Sequence, residues 1–236
     1  MKKLFTVLAV LLVATALFAG VTVKAGGTFG FANMSNATKE GSEFEDEAKM
    51  SSHGFGFGVG VQYDLSDKLA VYGEFNMVFP KDAEIKYEAA TVKVSDMVKE
   101  EYGDFGKYTI NFFSVSAGVA YKLDLNAVKL VVGGGITFNR AGFAIHVEET
   151  TAGVTYKLDI KYAYANIGLN ALVDAKYMVA EKVGVGVTLN PQLGLYNIAK
   201  LEAKTVPETP YNYDDKATGF KVSFAMPITV GVSYTF

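Results

Sequence analysis

Few side chains in this sequence could carry out chemistry. The chain has the histidines His53 and His146, the single arginine Arg140, and no cysteine. Ser52 and His53 are adjacent, so in a strand their side chains would point to opposite faces. Glu148 lies two residues after His146 and could share its face, but no nucleophile can be assigned to that pair. The sequence therefore predicts no catalytic residue, no metal ligand and no cofactor.

The elements that must position these residues are strands that end in evenly spaced tyrosines. The gaps are 58, 56 and 57 residues between Tyr63, Tyr121, Tyr177 and Tyr234. Each tyrosine ends a run in which apolar residues alternate with small or polar ones, which predicts a strand. Short turns follow the first three, and the given sequence stops two residues after the fourth. This spacing is typical of strand pairs that cross a membrane and turn at one interface.

Eight strands are predicted from the alternation. They lie at about 22–34, 52–64, 69–79, 108–123, 128–147, 161–176, 182–196 and 219–236. Tight turns at 64–68, 124–127 and 178–182 alternate with long loops at about 35–51, 80–107, 148–160 and 197–218. The parity of the fifth strand flips at Arg140–Gly142, which predicts a β-bulge. Pro227 predicts a local irregularity in the last strand.

Every predicted strand has one apolar face and one small or polar face. A soluble, lipocalin-like barrel would turn the apolar face inward, whereas a membrane barrel would turn it toward lipid. The membrane alternative is favoured by an export signal, by tyrosines at one end and by aromatic residues at the other, Phe79, Phe113, Phe138 and Phe220. The predicted fold is all-β, an eight-stranded antiparallel up-and-down transmembrane β-barrel. In it Tyr63, Tyr121, Tyr177 and Tyr234 form a periplasmic aromatic girdle.

The N-terminus predicts export to the outer membrane. Residues 1–20 combine Lys2 and Lys3, an apolar run and small residues, as a cleaved secretory signal does. Residues 21–236 then form one barrel domain. Loss of the two lysines takes the formal charge from −3 to −5, which argues against nucleic acid as a partner. The absence of cysteine excludes disulfides and a lipoprotein anchor.

The polar faces would fill the lumen, because eight strands leave room only for side chains or one small ligand. The predicted lumen residues are Lys24, Gln62, Tyr72, Glu74, Asn76, Lys122, Lys129, Asn166, Asn170, Asp174, Asn190 and Lys221. Buried charges need partners, so Glu74 is expected to pair with Lys24, Lys122 or Lys129. A plugged lumen is favoured over an open pore.

The C-terminal run alternates up to Phe236, with Ile228, Val230, Val232 and Tyr234 on the same face. It resembles the assembly signal that the barrel-insertion machinery reads. Together with the signal peptide and eight strands, this run makes the sequence resemble small outer-membrane barrels of the OmpA-barrel, OmpX and OmpW type. The resemblance implies a monomer in contact with outer-membrane lipid and lipopolysaccharide-type lipids. The sequence stops at the last strand, so the peptidoglycan-binding domain of OmpA is not expected.

The resemblance leaves two functions open. OmpX-type barrels are associated with surface interaction, and OmpW-type barrels with passage of small hydrophobic molecules. The Ser–His spacing of barrels that deacylate lipid A is absent, so an enzyme is not expected. Arg140 is interpreted as a rim residue that contacts loop carboxylates or lipopolysaccharide phosphate, with a ligand or gate charge as the alternative. The acidic run at 43–47 is interpreted as a solvated loop rather than a cation site.

Overall fold

The fold is described from a computed structural model that covers residues 20–38, 48–87, 90–151, 154–206 and 212–236. Nearly all of the predicted signal peptide and the acidic run at 43–47 lie outside these residues. The strands are β1 (Val21–Ser35), β2 (Ala48–Asp64), β3 (Leu69–Tyr87), β4 (Ala90–Lys93), β5 (Gly106–Leu125), β6 (Val128–Thr151), β7 (Val154–Met178), β8 (Val183–Leu189), β9 (Gln192–Val206) and β10 (Asn212–Thr235).

In the described part of the chain, one α-helix interrupts the strands, α1 (Val94–Tyr102), and a 3₁₀ turn at Gly103–Phe105 follows it. Its residues Val94 and Val98 are buried. Within the described ranges, no helix is long and apolar enough to cross a membrane.

The strands close into an antiparallel ring with eight positions, as predicted. β1 pairs with β2 on one side and with β10 on the other, so the first and last strands close the barrel. β8 and β9 together occupy the seventh position, because each pairs with both β7 and β10. β4 pairs only with β3. We call the end that carries the three short turns the turn end, and the opposite end the loop end.

The break between β8 and β9 lies beside Pro227. Proline has no backbone N–H to give to a ladder, and the seventh position is interrupted at Asn190–Pro191. The backbone N–H of Asn190 donates to the carbonyl of Pro227 at 3.1 Å. β10 itself is continuous and keeps its register with β1 through Pro227, so the irregularity predicted for the last strand lies instead in the neighbouring seventh position.

The long loops predicted at the loop end are largely strands, which is a correction. β6 and β7 stay paired from Val128–Tyr177 up to Thr151–Val154, so most of 148–160 is a hairpin. β9 and β10 pair across most of 197–218. Segment 80–107 contains the end of β3, β4 and α1, and segment 35–51 contains the ends of β1 and β2. These strand extensions have polar residues on their outer face, so the sequence did not show the alternation with outward apolar residues that predicted the other strand segments.

The bulge predicted at Arg140–Gly142 is wrong. β6 pairs in unbroken register with β5 and β7 through these residues. Asn139, Ala141, Phe143 and Ile145 are all buried inside the barrel, so the backbone keeps its parity. Toward the loop end, the apolar residues of β6 lie on its inner face instead of its outer face. There the exterior of the barrel is polar and the interior is apolar. Register shifts occur at Ser52–Gly54, Ile167–Gly168 and Phe220–Ser223.

Candidate functional site in the barrel interior

The apolar strand faces predicted to meet lipid lie on the outside of the barrel. Phe55 is 76% exposed, Val230 is 62% exposed and Phe220 is 82% exposed. The four tyrosines of the predicted girdle are 41–55% exposed and lie on the same outer surface at the turn end. The exterior is therefore apolar between these tyrosines and the phenylalanines toward the loop end, and at these levels the polar strand faces lie in the interior.

A layer of charged side chains crosses the lumen near the turn end. Lys24 Nζ lies 2.6 Å from Glu74 Oε1 and 3.5 Å from Asp174 Oδ2. Lys176 Nζ lies 3.4 Å from Asp174 Oδ2, and Thr188 donates to Asp174 at 3.0 Å. The pair predicted between Glu74 and Lys24 is therefore present. Lys176, which the sequence did not single out, adds the second cation, so two lysines face two carboxylates.

Glycine makes room for this layer. A Cβ at Gly60 would lie 2.7 Å from Glu74 Oε1 and closer still to Lys24 Cε. Such a distance is shorter than any normal van der Waals contact, so even alanine would displace the ion pair. At Gly58 and Gly60 of β2, neighbouring polar side chains therefore fill the space that a Cβ would take, so these glycines do not leave an open channel.

Amides and hydroxyls fill the middle of the lumen. Asn190 donates to Ser116 at 2.8 Å, and the Asn170 amide contacts the Tyr72 hydroxyl at 2.8 Å. Asn76 accepts from Thr229 at 3.1 Å. The predicted lumen residues of this layer are buried, namely Tyr72, Asn76, Asn166, Asn170 and Asn190. Hydrogen bonds across the barrel therefore connect opposite strands through the lumen.

An apolar cluster closes the interior at the loop end. Its buried members include Met34, Met50, Phe112, Phe143 and Ile145. The cluster also contains Val94 and Val98 of α1, so the helix covers the interior instead of extending into solvent. The sequence-based prediction missed this cluster, because it assigned every apolar strand face to lipid.

Asp82 holds α1 in this position. Its Oδ2 accepts from Ser95 Oγ at 2.6 Å, and its Oδ1 accepts from Ser95 N–H at 3.2 Å and from Ala83 N–H at 2.8 Å. Ser95 lies in the first turn of α1, where backbone N–H groups have no partner within the helix. The Asp82 carboxylate on β3 therefore accepts hydrogen bonds that the start of α1 cannot make within the helix.

A cavity lies at the turn end. It has a volume of about 130 Å³, and its lining includes Gln62, Asp64, Lys122, Lys129 and Lys176. Lys122 Nζ lies 2.6 Å from Asp64 Oδ2, so Lys122 does not pair with Glu74. Lys129 is exposed, so it lines the mouth of the lumen rather than its buried part. Lys221 is half-buried near the loop-end register shift.

Of the remaining residues that the sequence singled out, His53, His146 and Arg140 lie on the outer surface. Ser52 is buried and His53 is exposed, as expected for adjacent strand residues. His146 contacts Asp159 and lies 3.7 Å from Glu148 on exposed strands. Among the described residues, no cluster of metal-ligating side chains is present. Arg140 faces outward in the middle of β6, which continues to Thr151, so it is not at the barrel rim.

Comparison with known proteins agrees with this geometry. Residues 5–236 match the family model for the outer membrane protein beta-barrel domain. The chain belongs to this outer-membrane β-barrel family. Membership agrees with the expectations of outer-membrane localisation and of a protein that is not an enzyme. No curated protein sequence matches the chain.

Solved structures share the fold of this outer-membrane barrel at low sequence identity. OprG from Pseudomonas aeruginosa is 14% identical with a TM-score of 0.53, and the alignment covers 92% of this chain and 96% of OprG. A major outer membrane protein from Thermus thermophilus is 14% identical with a TM-score of 0.54, covering 91% of this chain and 99% of that protein. At this identity the likeness describes the fold alone.

The C-terminal residues close the outer-membrane barrel. The backbone N–H of Phe236 donates to the carbonyl of Val21 at 2.9 Å, and the Tyr234 and Phe236 rings are 4.9 Å apart. Val230 and Val232 are exposed on the outer surface. Recognition of this strand by the insertion machinery stays a prediction, as does cleavage of the signal peptide.

Proposed function

We propose that this protein is a closed outer-membrane barrel that contributes structure and presents its loop-end strands as an interaction surface. The observation that carries the proposal is the filled interior. The charged layer at Lys24 and Glu74, the amide layer at Asn170 and Asn190, and the apolar cluster around Phe112 follow one another along the axis. Conduction of an ion would require all three layers to rearrange.

The loop-end strands support the second half of the proposal. β6, β7, β9 and β10 continue beyond the apolar exterior band. Their outer faces there carry charged side chains, including Glu148 paired with Lys157 at 3.3 Å and Lys200 paired with Glu202 at 2.6 Å. Short turns of such barrels face the periplasm, so this charged surface faces the medium.

Single-channel recording tests the closed barrel. Purified protein, shown to be folded by its heat-dependent gel mobility, is inserted into a planar bilayer across a range of voltages. The proposal expects no conductance above the bilayer background, while an unrelated open porin in the same bilayer gives steps. Reproducible unitary steps from the folded protein, absent after boiling, would contradict a closed interior.

A narrow pathway for small hydrophobic solutes is the alternative, and one observation favours it. The ladder between β3 and β5 ends at Val78–Phe112, and α1 covers the apolar interior beyond that point. Movement of α1 would connect this interior with the exterior. A polar channel lacks comparable support.

A reversible crosslink separates the alternative from the closed barrel. A Cβ at Gly106 would lie 2.6 Å from Val98 Cγ1, and the chain has no native cysteine. The double variant Val98→Cys/Gly106→Cys would therefore tether α1 to β5 when oxidised. Uptake of a small fluorescent hydrophobic probe that falls on oxidation and returns on reduction would favour transport. Uptake equal to that of protein-free liposomes in both states would favour the closed barrel.

A further inference from the structure

Three outward polar side chains border the apolar exterior band on neighbouring strands. On β3, Lys81 comes two residues after Phe79, and on β6, Arg140 comes two residues after Phe138. On β5, which runs in the opposite direction, Asn111 lies two residues beyond Phe113 toward the loop end. Each polar residue therefore lies directly above a phenylalanine on the outer surface.

The register places Arg140 and Asn111 on a diagonal of neighbouring strands, two residues out of level with each other. Arg140 is the direct neighbour of Phe113, and Asn111 is the direct neighbour of Gly142. Tyr108 on β5 donates to the carbonyl of Lys81 at 3.4 Å, which keeps β3 close to β5 beyond the end of their ladder. Residues on such a diagonal are about 7–8 Å apart, and the long Lys81 and Arg140 side chains can extend from the two sides toward one small group above Asn111.

The phenylalanines below form a continuous apolar surface. The rings of Phe75 and Phe113 are 6.5 Å apart, and those of Phe113 and Phe138 are 5.9 Å apart. Phe57 joins Phe79 to the same series at 6.3 Å. Aromatic rings at this depth lie at the boundary between acyl chains and headgroups.

The two cations have no counter-ion among the described residues. No carboxylate lies within ion-pair distance of Lys81 or Arg140 there, whereas Lys157 and Lys200, also on the outer face, each contact carboxylates. Cations at a membrane interface attract anionic headgroups. Arginine suits phosphate because its planar guanidinium can donate two parallel hydrogen bonds. Arg140 is the only arginine among 22 basic residues.

We propose that Lys81, Asn111 and Arg140 bind the phosphate headgroup of an outer-leaflet lipid whose acyl chains lie along Phe79, Phe113 and Phe138. Arg140 and Lys81 neutralise the phosphate, and Asn111 donates a hydrogen bond from its amide. The site is on the lipid-facing exterior, so it operates whether or not the interior conducts.

Native mass spectrometry of the full barrel in detergent tests this site. Lipid A carrying its phosphates is titrated against the wild type, Arg140→Gln, Lys81→Gln and the conservative variant Arg140→Lys. We expect one tight equivalent on the wild type and about tenfold weaker binding for each glutamine variant, as the loss of a charge-assisted contact implies. Arg140→Lys should lie between them, because it keeps the charge and loses the paired donors.

Matched controls make the outcome decisive. Lys216→Gln removes another exposed cation, on β10, and should leave binding unchanged. Every variant is first shown to be folded by heat-dependent gel mobility. Equal binding of dephosphorylated lipid A, or an equal loss in Lys216→Gln, would overturn the proposal. If inorganic phosphate alone raises the unfolding temperature as much as lipid A does, the site takes a free anion and the lipid proposal is wrong.

Discussion

Lys24 is the residue on which the charged layer of the interior depends. Its side chain is only 14% exposed and contacts two carboxylates that are 4% exposed. Removal of one partner from a buried pair usually costs about 3–5 kcal/mol, because the other charge stays buried without compensation. Lys24→Met should therefore lower the free energy of unfolding by about 3 kcal/mol.

Urea unfolding in lipid vesicles, followed by gel mobility because the chain has no tryptophan, measures this loss. Lys122→Met is the matched control. Its pair with Asp64 is 20% and 25% exposed, and pairs near solvent contribute about 1 kcal/mol or less. Equal effects of the two substitutions would show that burial does not increase the contribution of the Lys24 pair to the free energy of unfolding.

The contact between Glu202 and Lys200 depends on pH. A hydrogen bond from Lys200 holds the pKa of the Glu202 carboxyl below its usual range, and hydrogen bonds to Glu202 and Asp214 raise the pKa of Lys200. A carboxyl whose pKa is lowered in the folded state contributes stability above its unfolded pKa of about 4.3 and loses it as the pH falls through the folded value.

An NMR titration of the Glu202 carboxyl checks this direction. The wild-type midpoint should lie below about 4.3, and Lys200→Gln should move it upward. Lys161→Gln is a useful comparison, because Lys161 contributes less than Lys200 to lowering the pKa of Glu202. A midpoint that is the same in wild type and Lys200→Gln would show that the contact does not persist in solution.

Strand parity explains which interior residues could be predicted. Alternation alone identified the buried residues Glu74, Asn76 and Asn190, because a period of two fixes the face of every residue in an unbroken strand. The same reasoning failed at Arg140–Gly142. It assumed that apolar residues always face lipid, whereas beyond the apolar band they face the interior. Identifying the cation that pairs with Glu74 required the strand register, which the sequence does not supply.

At the scale of elements, α1 depends on a contact that sequence could not reveal. The start of α1 is held by Asp82, thirteen residues before Ser95. Loss of a capping group costs about 1 kcal/mol. In Asp82→Ala, the amide protons in the first turn of α1 should exchange about five times faster, while those of the β6–β7 hairpin should not change.

Hydrogen exchange by NMR measures the two regions separately. Glu100→Ala is the control, since Glu100 is exposed and lies beyond the first turn of α1. Unchanged exchange in α1 of Asp82→Ala would mean that the apolar contacts of Val94 and Val98 hold the helix without the carboxylate. Faster exchange throughout the barrel would assign Asp82 a global role instead.

Element boundaries were predicted well at the turn end and poorly at the loop end. The turn-end tyrosines mark strand ends because a regular apolar pattern stops there. At the loop end, β6, β7, β9 and β10 continue with polar outer faces and short apolar inner runs. Such a pattern does not separate strand from loop by periodicity, so these extensions required pairing partners to be identified.

At the scale of the whole molecule, the exterior and interior change character along the barrel axis in opposite ways. Phe224 and Tyr234 are ten residues apart on β10. With a rise of about 3.3 Å per residue and a strand tilt of about 40°, they are separated by about 25 Å along the axis. This equals the height of an outer-membrane apolar band. Beyond it, the outside becomes charged and the inside apolar, as a membrane protein that extends into water requires.

In this barrel the apolar strand faces contact lipid while the polar faces are enclosed. Spin labels at single cysteines, introduced on β10 of the protein in liposomes, test it most directly because the chain has no native cysteine. Labels at Val230 and Val232 should be reached by membrane-dissolved oxygen, and labels at Thr229 and Ser233 by neither oxygen nor a water-soluble nickel chelate. Oxygen access at Thr229 and Ser233, with Val230 and Val232 shielded, would mean that the polar faces contact lipid and the apolar faces are enclosed.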